Sequence, residues 1–130
     1  MDKNIRIITK LNRETNDGKV EWARYNMKPT SLQNSEEVIG HVYGANVLNR
    51  HFMIYKYKSK GYNYDGDPYY ITDFRLDLVN HHFVSEWSFP NDNSISDLYE
   101  TIQYKSSNIE NFINEYLDGE DNEEQESTWL

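Results

Sequence analysis

The stretch Tyr69-Tyr70-Ile71-Thr72-Asp73-Phe74-Arg75-Leu76-Asp77-Leu78-Val79 decides the fold class. Tyr70, Phe74, Leu76 and Leu78 alternate with Asp73, Arg75 and Asp77, which is the period of a strand with one apolar face. Asn80-His81 then fits a tight turn. Phe83–Phe89 continues the pattern, with Phe83, Trp87 and Phe89 set against Val84, Glu86 and Ser88. Pro90 ends that run. Two strands joined by so short a connection pair antiparallel.

Towards the N-terminus, residues 59–68 (SKGYNYDGDP) are dense in turn formers and read as a crossing between strands. His51–Lys58 precedes them, with Phe52 and Ile54 on one face and Met53, Tyr55 and Tyr57 on the other. Val38–Ala45 reads as a further strand and residues 28–36, with Pro29 and Ser31, as a polar loop. Lys19–Met27 is the expected first strand, in which Val20 and Trp22 share a face. Ile5, Ile8, Leu11 and Thr15 keep helical spacing over residues 3–15, among Lys3, Arg6, Lys10 and Arg13. Asn16-Asp17-Gly18 stops that helix, Gly18 being free to adopt positive φ.

Beyond Pro90, Ile95, Leu98, Tyr99 and Ile102 follow i, i+3, i+4, i+7 spacing, and Ile109, Phe112, Ile113, Tyr116 and Leu117 repeat it. Ser94 and Ser96 are candidate N-caps. Ser106-Ser107-Asn108 either breaks this helix or lies on its exposed face, and Gly119 is its expected end. The expected fold is α+β: an antiparallel meander of about five strands with N- and C-terminal helices packed on one face. Residues 1–118 would form a single globular domain and residues 119–130 (GEDNEEQESTWL) a disordered acidic tail. Trp22, Phe74, Leu76, Trp87, Leu98, Ile102, Phe112 and Ile113 are expected to share the core.

The 130 residues fit one domain. Hydrophobic content is 37%, and 11 Tyr, 5 Phe and 3 Trp offset this modest figure with large buried areas per residue. The absence of cysteine excludes disulfides and thiolate metal sites. Asp2, Lys3, Arg6 and Lys10 interrupt any apolar targeting core near the start, and no apolar run approaches a bilayer span. A cytoplasmic location without membrane contact is the expectation.

The net charge of −9 is unevenly placed. Residues 1–105 hold 14 Asp+Glu and all 13 Lys+Arg, whereas residues 106–130 hold 8 Asp+Glu and no base. A protein imitating the nucleic-acid backbone spreads carboxylates over a folded face, and here the folded body is nearly neutral. Direct nucleic-acid binding lacks the basic patch it needs.

Candidate chemistry is sparse. His81-His82 on a strand would point to opposite faces, and His41 and His51 lie singly on other strands, so a zinc set is not indicated. Asn63, Asp65 and Asp67 have the spacing that opens a calcium loop, but Pro68 stands at the glycine position and Phe74 at the glutamate position. The pair Asp73 and Asp77 reads as a solvated strand face. No Gly-x-Ser-x-Gly elbow or phosphate-cradling glycine loop is present. No cofactor is implied, and catalytic, cofactor and metal residues are not assigned.

Tyr62, Tyr64, Tyr69 and Tyr70, with Asp65 and Asp67 between them, form the strongest candidate contact surface, because tyrosine offers large contact area at low entropic cost. The plainer alternative is that alternate tyrosines pack on the sheet. The acidic run ending in Trp129 and Leu130 is a second candidate, against the plainer reading of a solubilising tail. It is similar in style to the ends of bacterial single-stranded-DNA-binding proteins, which resemblance implies a tip docking in an apolar pocket with a basic rim. The terminal Pro-Phe of that family is missing here.

Leu11-Asn12-Arg13-Glu14-Thr15, Gly18-Lys19-Val20-Glu21-Trp22 and Leu98-Tyr99-Glu100-Thr101-Ile102 together resemble a set of short uncharacterised bacterial proteins. These share a helix ending in Thr-x-x-Gly, a Trp-bearing first strand and a final helix after Phe-Pro. In size and acidity they are similar to immunity and anti-defence proteins of mobile elements. The missing catalytic constellation, the tyrosine-rich surface and the acidic tail, together with this resemblance, lead to the expectation of a non-enzymatic binding module that occludes one protein partner, of the immunity, antitoxin or anti-defence sort, as monomer or homodimer. An adaptor or chaperone escorting a partner is the alternative, and an enzyme with an atypical site the third.

Overall fold

The computed structural model describes the backbone of residues 2–128 and the side chains of residues 2–119. Helix α1 (Lys3–Asn16) leads into strands β1 (Ala23–Tyr25), β2 (Glu36–Val47), β3 (Arg50–Tyr62), β4 (Pro68–Val79) and β5 (Ser85–Ser88), and these into helices α2 (Asn93–Ser106) and α3 (Ile109–Thr128). The strands form one antiparallel sheet in sequence order. The α+β meander expected from the alternation is the observed fold.

Strands β3 and β4 pair without interruption from His51↔Val79 to Tyr62↔Pro68. Unbroken register keeps every second side chain on one face along both strands. Ile54 and Leu76 therefore meet on the helix side, where they are fully buried with Ile8 and Leu11 of α1 and Leu98 and Ile102 of α2. Asp2 caps α1 by accepting from the Asn4 amide at 2.7 Å. Asp92, rather than Ser94 or Ser96, caps α2 by accepting from the Ser94 amide at 2.9 Å.

Trp22 lies just before the short β1 instead of within a long first strand. Its indole Nε1 donates to Thr15 Oγ1 at 2.9 Å, and that hydroxyl donates to the Leu11 carbonyl at 2.7 Å. The Thr15–Gly18–Trp22 spacing is thus a latch joining the end of α1 to the chain entering the sheet, and the buried hydroxyl is satisfied in both directions.

Part of the opposite face of the sheet is also covered, so that Asp77 is buried where a solvated face was expected at Asp73 and Asp77, while Asp73 is half-buried. Val42, Met53, Tyr55 and Val79 form a second buried cluster, with Leu32 of the 28–35 loop and Phe83 packed against it. Asp77 is only 1% exposed. Its carboxylate accepts from Ser31 Oγ and, at 2.6 Å, from Ser88 Oγ. Beside it, Arg75 donates to both carboxylate oxygens of Glu36 at 2.9 and 3.0 Å, to the Ser31 carbonyl at 3.2 Å and to the Tyr55 hydroxyl at 2.8 Å. The guanidinium also stacks on Tyr57, 4.3 Å from its centroid. Strand alternation places these polar groups away from the helices, and only the returning loop turns that side into an interior.

The expected core needs three corrections. Trp87 is 46% exposed because β5 is a short edge strand, although its ring meets Phe89 edge-on at 4.6 Å. Phe112 and Ile113 are exposed because the Ser106–Asn108 segment breaks the helix. Asn108 adopts φ 59°, and α3 leaves on a new course although its apolar period matches that of α2. The last helix also runs through Gly119, its expected end, to Thr128. Glutamate and glutamine are strong helix formers, and glycine weakens a helix without ending it unless the backbone turns left-handed.

The β2–β3 hairpin turns on Leu48 and Asn49, with φ of 50° and 63°. This two-residue geometry favours Asn-Gly, and leucine there is strained and almost fully exposed. Leu48→Asn should therefore raise stability by about 1 kcal/mol, read as a higher urea midpoint at unchanged m. An unchanged or lower midpoint would show that the turn tolerates leucine without strain.

Candidate functional site

The segment carrying most of the sequence-flagged residues is the distal end of the β3–β4 ribbon. Strand β2 stops at the Glu36↔Ser59 pair, and the β4–β5 pairing spans only Asp77–Val79. From Lys60 to Tyr70 the ribbon thus has no strand neighbour on either side among the described residues. Residues 59–62, expected in the crossing, instead belong to β3.

Its tip is built by side-chain-to-backbone chemistry. Asn63 Oδ1 accepts from the amides of Asp65 at 3.0 Å and Asp67 at 2.9 Å, the Asn63 amide donates to the Asp67 carbonyl at 2.9 Å, and Gly66 supplies φ 83°. An asparagine that mimics a backbone turn accounts for the calcium-like spacing, and its oxygen is already engaged. The β4–β5 connection repeats the device: Asn80 Oδ1 accepts from His82 at 2.9 Å and Val84 at 3.0 Å, and Phe83 takes the left-handed position at φ 63°. Its ring lies against Tyr25 and His51, which holds the unfavourable conformation in place. His81-His82 is thus part of a turn.

The tyrosines divide between two faces. Tyr62 and Tyr70 share the helix-side face with Lys58 and Lys60, whose ammonium groups sit 5.3 Å over the rings of Tyr70 and Tyr62 respectively. Lys58 also pairs with Glu37 at 3.5 Å. Tyr69 and Ile71 occupy the other face. There the Tyr69 ring lies across Gly61 so closely that a Cβ on that glycine would fall 2.5 Å from Tyr69 Cζ. Tyr64 stands at the tip, fully exposed, and Asp65 and Asp67 beside it are also exposed. Tyr62, Tyr70 and Ile71 are more than half exposed, and Tyr69 nearly so. Packing on the sheet accounts in part for Tyr69, whose ring lies over Gly61, while Tyr62, Tyr64, Tyr70 and Ile71 stay largely open to solvent.

What the ribbon offers chemically is recognition: amphipathic rings, ammonium groups and an open backbone edge along the start of β4, with no nucleophile beside a base. Trp129 and Leu130 lie outside the described residues. Elsewhere, His51 sits in a cleft with Arg50, His81 and Glu86. Its Nδ1 contacts Asn46 Oδ1 at 2.7 Å, its Nε2 is enclosed without a partner, and burial pushes its pKa down. No group of three or more His, Asp or Glu side chains is placed to hold a metal ion among the described residues. Likewise, no described helix is long and apolar enough to cross a membrane.

Sequence periodicity missed two features, because both depend on where elements end up. One is the Arg75–Glu36 network under the loop. The other is the outward-facing apolar stripe of α3: Phe112, Ile113, Tyr116 and Leu117 are between 41% and 69% exposed. A signal for the second existed in Ser106-Ser107-Asn108, whose cap and turn formers favour a break. No protein-family model, curated protein or solved structure matches this chain.

Proposed function

We propose that this chain is a non-enzymatic protein-binding module that occludes a protein partner through the distal β3–β4 ribbon, in the manner of immunity, antitoxin or anti-defence proteins. The observation carrying this reading is the exposure of Tyr62, Tyr64, Tyr69, Tyr70 and Ile71 on a ribbon that extends beyond both hydrophobic clusters. Solvent-facing tyrosines contribute little to folding, while large rigid rings with a polar tip dominate many protein interfaces. Lys58 and Lys60, held over two of the rings, favour a partner surface with acidic groups around an apolar centre.

The test compares wild type with Tyr62→Ala/Tyr64→Ala/Tyr70→Ala, each immobilised and exposed to extract of the native host, followed by affinity measurement with the recovered partner. The triple variant should melt within about 2 °C of wild type, since none of the three side chains is buried. Its affinity should fall by at least about 100-fold. Equal affinity for both proteins would remove the ribbon as the binding surface.

A further inference from the structure

Helix α3 presents a surface that the described residues of its own chain leave uncovered. Every residue from Glu110 to Gly119 is exposed, and the helix touches the rest of the chain mainly at the end of α2. Ile109, Phe112, Ile113, Tyr116 and Leu117 form a stripe along it, with the Phe112 and Tyr116 rings stacked at 5.9 Å. The open part of this stripe amounts to roughly 400 Å², the size of the largest apolar patch on a typical monomer. Over its 20 residues α3 carries eight carboxylates and no base. A helix of that charge with no packed face is marginal in water, because helix stability in proteins comes from burying an apolar side.

The matching surface is on α1. Its inner side is buried through Ile8, Leu11 and Thr15. Its outer side exposes Lys3, Arg6, Lys10 and Arg13 around Ile7, which is 44% exposed and forms the floor of a shallow groove. Among the described residues, only Lys10 of these bases has an acidic neighbour, Glu14 at 3.8 Å. One element is thus acidic with an apolar stripe, and the other is basic with an apolar centre. The 14 residues of α1 span about 21 Å, longer than the stripe from Ile109 to Leu117 at about 12 Å.

We infer that α3 docks on α1 of a second copy of this chain, reciprocally, giving a two-fold dimer with two equivalent α3–α1 contacts. Burying both stripes against equal areas of α1 removes about 1,600 Å² from water, the size of a standard stable interface. Pairing of α3 with α3 would instead set carboxylates against carboxylates. This contact is separate from the tyrosine ribbon, which remains free in the dimer.

Sedimentation velocity on the full chain tests this, using two charge-reversal variants: Arg6→Glu/Lys10→Glu in α1 and Glu115→Lys/Asp118→Lys in α3. All four positions are exposed, so both variants should still unfold in a single cooperative circular dichroism transition. Wild type should be a dimer at about 50 μM in low salt, with a dissociation constant that rises at least about tenfold towards 0.5 M salt. Each variant alone should be monomeric. An equimolar mixture of the two should regain the dimer, since one contact then sets the native acidic α3 against the native basic α1, and the other sets the lysines introduced into α3 against the glutamates introduced into α1. A monomeric wild type at 50 μM would overturn the inference. So would a dimer that tightens with salt and survives the α1 reversal, which is the signature of α3–α3 pairing, or a mixture that stays monomeric.

Discussion

Replacing Arg75 with methionine should lower stability by about 3–5 kcal/mol, although the position lies on the side of β4 that alternation marks as polar. Methionine keeps much of the stem volume, so the loss isolates the guanidinium. Without it, a Glu36 carboxylate only 10% exposed has no counter-charge, and the Ser31 carbonyl and the Tyr55 hydroxyl each lose a donor. Stranded buried polar groups cost more than the original contacts contributed, because each gave up its hydration on folding. Arg75→Lys should recover little, since one ammonium cannot hold both Glu36 oxygens and still reach Tyr55 and Ser31.

The same pair shapes the acid limb of stability. The Arg75 hydrogen bond holds the Glu36 pKa below its ordinary value of 4.5. The unfolded chain therefore binds this proton more readily than the folded one. The contribution is complete above 4.5 and disappears as pH falls through the lower folded value. Urea titration of wild type and Arg75→Met across that window checks both effects. A loss under about 1 kcal/mol at neutral pH would show the network to be a surface ion pair of the usual small value.

Leu76→Ala should cost about 3–4 kcal/mol, the middle of the range for a leucine at the centre of a core. Leu76 is fully buried, pairs across the ribbon with Ile54, and meets both helices through the Ile8–Leu98–Ile102 cluster. Two helices and two strands cannot easily collapse into the vacated space, so the cavity adds to the lost transfer energy. The drop in melting temperature should be roughly 10–15 °C. The same residue type at Leu48, strained and open to solvent, should respond to substitution with the opposite sign. Equal responses at the two sites would mean that the β4 register is not the one described.

Much of the architecture was legible because short-range rules govern it. The alternation of Tyr70, Phe74, Leu76 and Leu78 placed β4 and its apolar face, and the strand order follows from short antiparallel connections. The α2 stripe and the Asn80 turn were legible for the same reason. The tyrosine ribbon was found through its composition, but its turn-forming residues concealed how far β3 continues into it. The Leu48-Asn49 turn gave no signal, since leucine is not a turn former and is held there by the pairing on either side.

Fold class, the helix-facing residues of the central strands and the confinement of negative charge to the C-terminal segment were determined by the sequence itself, because periodicity and composition are local properties of a chain. The tertiary structure decided which faces are covered. Arg75 and Asp77 read as part of a solvated row until the 28–35 loop lies over them, and Phe112 and Ile113 read as core until a left-handed residue at Asn108 turns α3 away. A hydrophobic pattern records which side of an element is apolar. Whether anything packs on that side depends on the path of distant chain, which a local pattern reports only where, as at Ser106–Asn108, it also carries a turn signal.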